Sequence, residues 1–131
     1  MPRVLLVDDE MRNNRTLELG LGVEGVDVSY AVDAADALHI LACEEVDLAV
    51  IDLMMAGTTG LELARLIKAS FPRVRTVLTS TYHLSQRQIE RADCGVIGFV
   101  PKPYQVGDLV DFLRSKASGY PSVRVLPAAL A

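Results

Sequence analysis

Four short apolar segments of this chain each end in polar residues whose types complement one another. Residues 4–7 run into Asp8 and Asp9, residues 48–51 into Asp52, residues 76–79 into Ser80 and Thr81, and residues 98–100 into Pro101, Lys102 and Pro103. In an open parallel α/β sheet, ligands bind in the crevice beyond the carboxyl ends of the strands. Three carboxylates converging there would repel one another unless a cation sat among them. Mg²⁺ favours hard oxygen ligands in near-octahedral geometry and completes its shell with water and phosphate oxygens. With a hydroxyl and an ammonium beside them, the set describes a divalent-metal site around a phosphoryl-accepting aspartate.

The elements that must position these groups alternate along the chain, short apolar runs with amphipathic stretches, as in repeated βα units around a parallel sheet. The pattern predicts strands at 3–7, 27–31, 48–51, 76–79 and 98–100. It predicts helices at 11–21, 34–42, 60–70, 85–92 and 106–116. Asp33 and Ser85 are placed to cap the second and fourth helices. Phe71-Pro72 should end the third, because proline disfavours helical geometry in the residue before it. Leu61, Ala64, Leu66, Ile67 and Phe71 fall on one face of that third helix. The first helix is the least defined, with Asn13-Asn14 early and Gly20 and Gly22 late. The strand before Asp52 is apolar throughout, as for one covered on both faces. Pro101 cannot donate a ladder hydrogen bond, so the last strand is expected at a sheet edge. Beyond Lys116, Ser118-Gly119-Tyr120-Pro121 reads as a turn or linker, and residues 123–126 as an isolated apolar run.

Composition narrows the function classes. A length of 131 residues fits one domain, 50% apolar and 23% charged residues are ordinary for a globular protein, and the formal charge is −4. No basic stripe suggests direct nucleic-acid binding, and no apolar run approaches a membrane span. Cys43 and Cys94 are too few for a disulfide framework and read as reduced thiols in a cytoplasmic protein.

The ordered landmarks resemble the receiver domains of two-component response regulators. These are Asp8-Asp9, then Asp52 with Met55 and Gly60, then Ser80, then Phe99 with Lys102-Pro103. The resemblance spans Arg3 to about Lys116. It implies a single flavodoxin-like (βα)5 doubly wound α/β domain with strand order 2-1-3-4-5 over residues 1–117, followed by a tail or linker over 118–131. It implies Mg²⁺ (or Mn²⁺) held by Asp9, Asp52 and the backbone carbonyl of Met54, with Asp8 acting through water. Asp52 would take a phosphoryl group from the phosphohistidine of a sensor histidine kinase or phosphotransfer protein. Lys102 and Ser80 would assist, in a signalling domain rather than a turnover enzyme. Ser80 and Phe99 would form the switch, Phe99 turning inward after phosphorylation to repack the face of the fourth helix, fifth strand and fifth helix. The bland alternative for Phe99 is a plain core or edge aromatic. That face would meet a downstream effector or output domain, or a second copy in a homodimer. The Lys102-Pro103 bond is expected to be cis.

Each residue also has a bland reading: Asp8-Asp9 as a helix cap, Ser80 as a loop hydroxyl, Lys102 as a surface lysine. His39 and His83 do not join the constellation. The chain departs from the family pattern at Ala56, where proline is usual, and at Thr81, where a smaller residue is commoner. Met54 and Tyr82 stand where polar side chains are frequent; with Thr81 they are expected to tune phosphoryl lifetime. The competing function is a pseudo-receiver, the same fold binding a protein partner without phosphorylation.

Overall fold

Strand β3 (Leu48–Asp52) is buried at all five positions, which fixes it in the middle of the sheet. The computed structural model describes residues 3–9, 19, 22, 25–55, 57–82, 84–102, 124 and 125. Within them lie β1 (Arg3–Val7), β2 (Asp27–Ala31), α1 (Ala34–Cys43), β3, α2 (Gly60–Ser70), β4 (Arg75–Ser80), α3 (Gln86–Ala92), β5 (Val96–Pro101) and β6 (Arg124–Val125). The three described helices correspond to the second, third and fourth predicted ones. The predicted first and fifth helices, the Lys102-Pro103 bond, Ala56 and His83 lie outside the described residues, apart from isolated positions near the first helix.

All strands are parallel, and the first five follow the expected order 2-1-3-4-5. Side chains alternate across the sheet with a period of two. Leu5, Val7, Ala49, Ile51, Leu78 and Phe99 pack on the face covered by α1, α2 and α3. Val4, Leu6, Leu48, Val50, Val77 and Val100 form a separate apolar layer on the other face.

One expectation is corrected at the sheet's end. β5 is not an edge strand over its whole length, because Arg124 and Val125 pair in parallel with Gly98 and Phe99. The proline constraint acts only at Pro101 itself, and this pairing stops two residues before it. The intervening chain, residues 102–123, exceeds the dozen or so residues a parallel crossover needs. The apolar run at 123–126 thus has a partner, through Arg124 and Val125.

Local chemistry explains where the helices begin and end. The Asp33 carboxylate accepts from the Asp36 N–H at 2.8 Å, and the Thr59 hydroxyl accepts from the Glu62 N–H at 3.2 Å. Ser85 caps α3 from outside the helix, in a reciprocal pair of bonds with Gln88. The Phe71 N–H closes α2 on the Ile67 carbonyl at 2.7 Å, just before Pro72. The buried face of α2 is Gly60, Leu63, Ala64 and Ile67. Leu66, expected on that face, is 46% exposed. Leucines recur so densely in this helix that spacing alone does not separate the core-facing ones.

Candidate functional site

The carboxyl ends of β1, β3, β4 and β5 are drawn together by backbone bonds that continue past the strands. The Asp8 N–H donates to the Ala31 carbonyl, Leu53 N–H to Thr79, and Lys102 N–H to Ser80, at 3.1, 2.8 and 2.8 Å. The loop after β3 folds back onto its own start, with the Gly60 N–H on the Leu53 carbonyl at 2.9 Å. A Cβ on Gly60 would stand 2.5 Å from the Asp52 carbonyl oxygen and 2.7 Å from Leu53 Cα. Only glycine lets α2 start that close to the strand end carrying Asp52.

Carboxylate oxygens of Asp8, Asp9 and Asp52 all lie within 4.8 Å of one another. Asp8 and Asp52 are buried and Asp9 is exposed. The Lys102 ammonium reaches in from beyond β5, 2.9 Å from Asp8 Oδ2 and 3.3 Å from Asp52 Oδ2. Asp52 Oδ1 accepts from the Met54 N–H at 3.1 Å, which brings the Met54 backbone against the carboxylate.

Electrostatics follow from this crowding. Burial pushes the Asp52 carboxyl above its usual 3.8, with the Asp8 charge adding to it; the Lys102 charge and the Met54 N–H pull the other way without cancelling it. A private ion pair would lower Asp52, but Lys102 is shared and sits closer to Asp8. Burial works against the Lys102 ammonium, yet its bond to Asp8 and the two carboxylate charges outweigh that and hold it above its usual 10.5. Among the described residues, the Lys102 ammonium is shared between Asp8 and Asp52 and neutralises neither alone in this partly dry site. A donor set of three carboxylates suits a hard divalent cation.

The other predicted residues sort clearly. Ser80 is buried; its hydroxyl accepts from the Tyr82 N–H at 3.0 Å, and by strand alternation it faces the same side as Leu78 and Phe99. Phe99 is fully buried in the core with Leu78 and Ile89. Its ring occupies the inward position. Met54 and Tyr82 are exposed, each two residues beyond a buried site residue, and Thr81 is exposed as well. His39 is exposed on α1, away from the cluster's strand ends. Cys94 is buried and Cys43 exposed, both as free thiols.

Sequence reading passes over Thr79. Its hydroxyl is buried and has no hydrogen-bond partner among the described residues. The available signal is a threonine on a sheet face otherwise lined by Val50, Val77 and Val100.

Comparison with known proteins agrees with this geometry. Residues 4–114 match the family model of the response regulator receiver domain. The response regulator MprA of Mycolicibacterium vanbaalenii is 31% identical over 114 residues, covering 86% of this chain and 49% of that protein. MprA of Mycobacterium avium is equally similar; the chain spans about half the length of these curated relatives. Among solved structures, the response regulator TrrA of Thermotoga maritima, in complex with Mg²⁺ and BeF, is 26% identical with a TM-score of 0.77, covering 88% of this chain and 98% of that one. A CheY-like receiver domain protein from Methanospirillum hungatei shares the fold at a TM-score of 0.82 and 23% identity, over 90% and 94% of the two chains. Family match, sheet order and an acidic cluster at the strand ends agree: the chain belongs to the response regulator receiver domains of two-component systems.

Proposed function

We propose that this domain accepts a phosphoryl group on Asp52 from the phosphohistidine of a sensor histidine kinase or phosphotransfer protein, in a Mg²⁺-dependent reaction. The observation that carries the reading is the gathering of Asp8, Asp9 and Asp52 oxygens within 4.8 Å, with Lys102 bridging two of them. Bound Mg²⁺ (or Mn²⁺) would neutralise charge on the carboxylates and on the incoming phosphoryl oxygens. Asp9, Asp52 and the Met54 carbonyl would hold it, and Asp8 would act through water.

An Asp52 oxygen forms the new bond to phosphorus as the phosphorus–nitrogen bond to imidazole breaks, and the imidazole leaves with the bonding pair. Lys102 pairs with the developing charge, and the Ser80 hydroxyl donates to a phosphoryl oxygen. In such transfer the protein mainly positions groups and balances charge. Ser80 shares its sheet face with Phe99, so the event reaches the layer of β5 and α3 through packed side chains. That layer is where an effector protein, an output domain or a second copy of the chain would dock. We assign residues 1–117 to the receiver unit and 118–131 to a tail or linker whose Arg124–Val125 segment pairs back onto β5, and place the reaction in the cytoplasm. Among the described residues no helix is long and apolar enough to cross a membrane.

The direct test is incubation with Mg²⁺ and a small-molecule phosphodonor, followed by intact mass and peptide mapping. One added phosphoryl group on the peptide containing Asp52 is expected, and none in chelator. No uptake, with Mg²⁺ present and the fold intact, would leave a pseudo-receiver that binds partners without phosphorylation.

A second expectation concerns lifetime. Met54 and Tyr82 are exposed at the mouth of the site, with Thr81 beside them. Bulky, largely apolar groups there hinder a water from approaching phosphorus in line. The phosphorylated form of a Met54→Asn, Tyr82→Glu variant should decay several-fold faster than wild type when followed by mass. Equal or slower decay in the variant would remove this role.

A further inference from the structure

The Lys102 side chain makes a long reach. It starts beyond β5 and ends on Asp52 after β3 and on Asp8 after β1. In the order β1-β3-β4-β5 it must therefore pass over the carboxyl end of β4. Thr79 stands at that end of β4, one residue before its last. It is in register with Asp52 on one side and with Val100, two residues before Lys102, on the other. By alternation, Asp52, Thr79 and Val100 share the face that also carries Val50 and Val77.

Thr79 is 2% exposed, and its Oγ1 is the one buried side-chain polar atom without a partner among the described residues. Valine, which stands on this face at positions 50, 77 and 100, would have the same shape without the desolvation penalty. An orphaned buried hydroxyl in a native fold calls for an explanation, such as a catalytic role or a partner present only in another state.

We propose that Thr79 is a positioning residue of the acidic site, its hydroxyl accepting a hydrogen bond from the Lys102 ammonium once a divalent cation engages the carboxylates. This rests on the metal-dependent reading above. The ammonium now spends two donors on Asp8 and Asp52. A dication drawn to the same carboxylates competes for their oxygens and repels the ammonium. The displaced N–H then needs an acceptor along the path of its own stem, and a threonine hydroxyl can accept there. Lys102 would thus stay over β4, close to Asp52, instead of swinging out to solvent.

The test uses the whole chain with Thr79→Val and Thr79→Ser, and reads Mg²⁺ affinity by calorimetry and melting temperature in chelator. Thr79→Val should melt no lower than wild type without metal, since it removes only an unpartnered hydroxyl. It should nonetheless bind Mg²⁺ more weakly, by roughly fivefold or more for one lost hydrogen bond. Thr79→Ser keeps the hydroxyl and should restore wild-type affinity. Wild-type Mg²⁺ affinity in Thr79→Val would overturn the proposal. So would a variant pair in which both melt lower and serine fails to rescue, the signature of a packing role. Failure of wild type itself to bind Mg²⁺ would instead sink the metal reading, and this inference with it.

Discussion

Gly60→Ala is expected to destabilise the domain by about 2–3 kcal/mol and to disturb the site at the same time. The added methyl would meet backbone atoms: the Asp52 carbonyl oxygen at 2.5 Å and Leu53 Cα at 2.7 Å. Backbone cannot rotate out of the way as a flexible side-chain tip can, so either α2 retreats from the sheet or the end of β3 moves. Alanine's better helix propensity returns only about 0.5–1 kcal/mol, so the clash wins. For a domain of this size the melting temperature should fall by roughly 10 °C. Gly57→Ala is the informative control. Gly57 has a φ of +85°, but a Cβ there meets nothing within 4 Å. Its cost is backbone strain alone, about 1–2 kcal/mol, with no push on Asp52. Melts in chelator should rank wild type above Gly57→Ala above Gly60→Ala, and Mg²⁺ affinity should drop clearly only for Gly60→Ala. A Gly60→Ala protein that melts and binds metal like wild type would mean that α2 and β3 separate freely.

What could be read from residues and what could not divides along physical lines. The strands and three helices were legible because their apolar periods and caps are local properties: an all-apolar 48–51, Asp33 and Ser85 before periodic stretches, Pro72 after Phe71. The site was legible because the chemistry-bearing residues sit at strand ends, and strand ends in a parallel sheet point to one place. Leu63 and Leu66 could not be sorted, since which leucine faces the core depends on how α2 is rotated against β3. The pairing of Arg124–Val125 with β5 could not be read either. Two residues carry no register information, and the partner is set by where a long crossover returns. Phe99's inward placement is a packing outcome of Leu78 and Ile89, invisible along the chain. Thr79 gives no signal along the chain, because a threonine in a strand is unremarkable until it is found between Asp52 and Val100 on a face with Val50 and Val77.

Asp52→Asn separates the two things this carboxylate does, and its effects should point in opposite directions. Phosphoryl uptake from a small donor should vanish entirely, because an amide is no acceptor for the phosphoryl group. Stability in chelator should rise, by about 1 kcal/mol or roughly 3–5 °C in melting temperature. Lys102 keeps its closer partner Asp8, and the amide oxygen can still accept from the Met54 N–H, so what is lost is mainly a buried charge beside two others. The pH dependence follows from the direction in which Asp52 is displaced. Its folded-state pKa lies above the usual 3.8 because burial disfavours the charge. Between 3.8 and that raised value the folded form holds more protons than the unfolded chain, so stability falls as pH rises through this window. Above the window the penalty is fully developed; towards 3.8 and below it disappears. The advantage of Asp52→Asn over wild type should therefore be full at neutral pH and shrink as acid protonates Asp52. Adding Mg²⁺ should reverse the order at neutral pH, since bound metal stabilises only the protein that retains the third carboxylate. Should Asp52→Asn melt below wild type in chelator at pH 7, Asp52 would be a net stabilising partner of Lys102, and the site would not be short of positive charge.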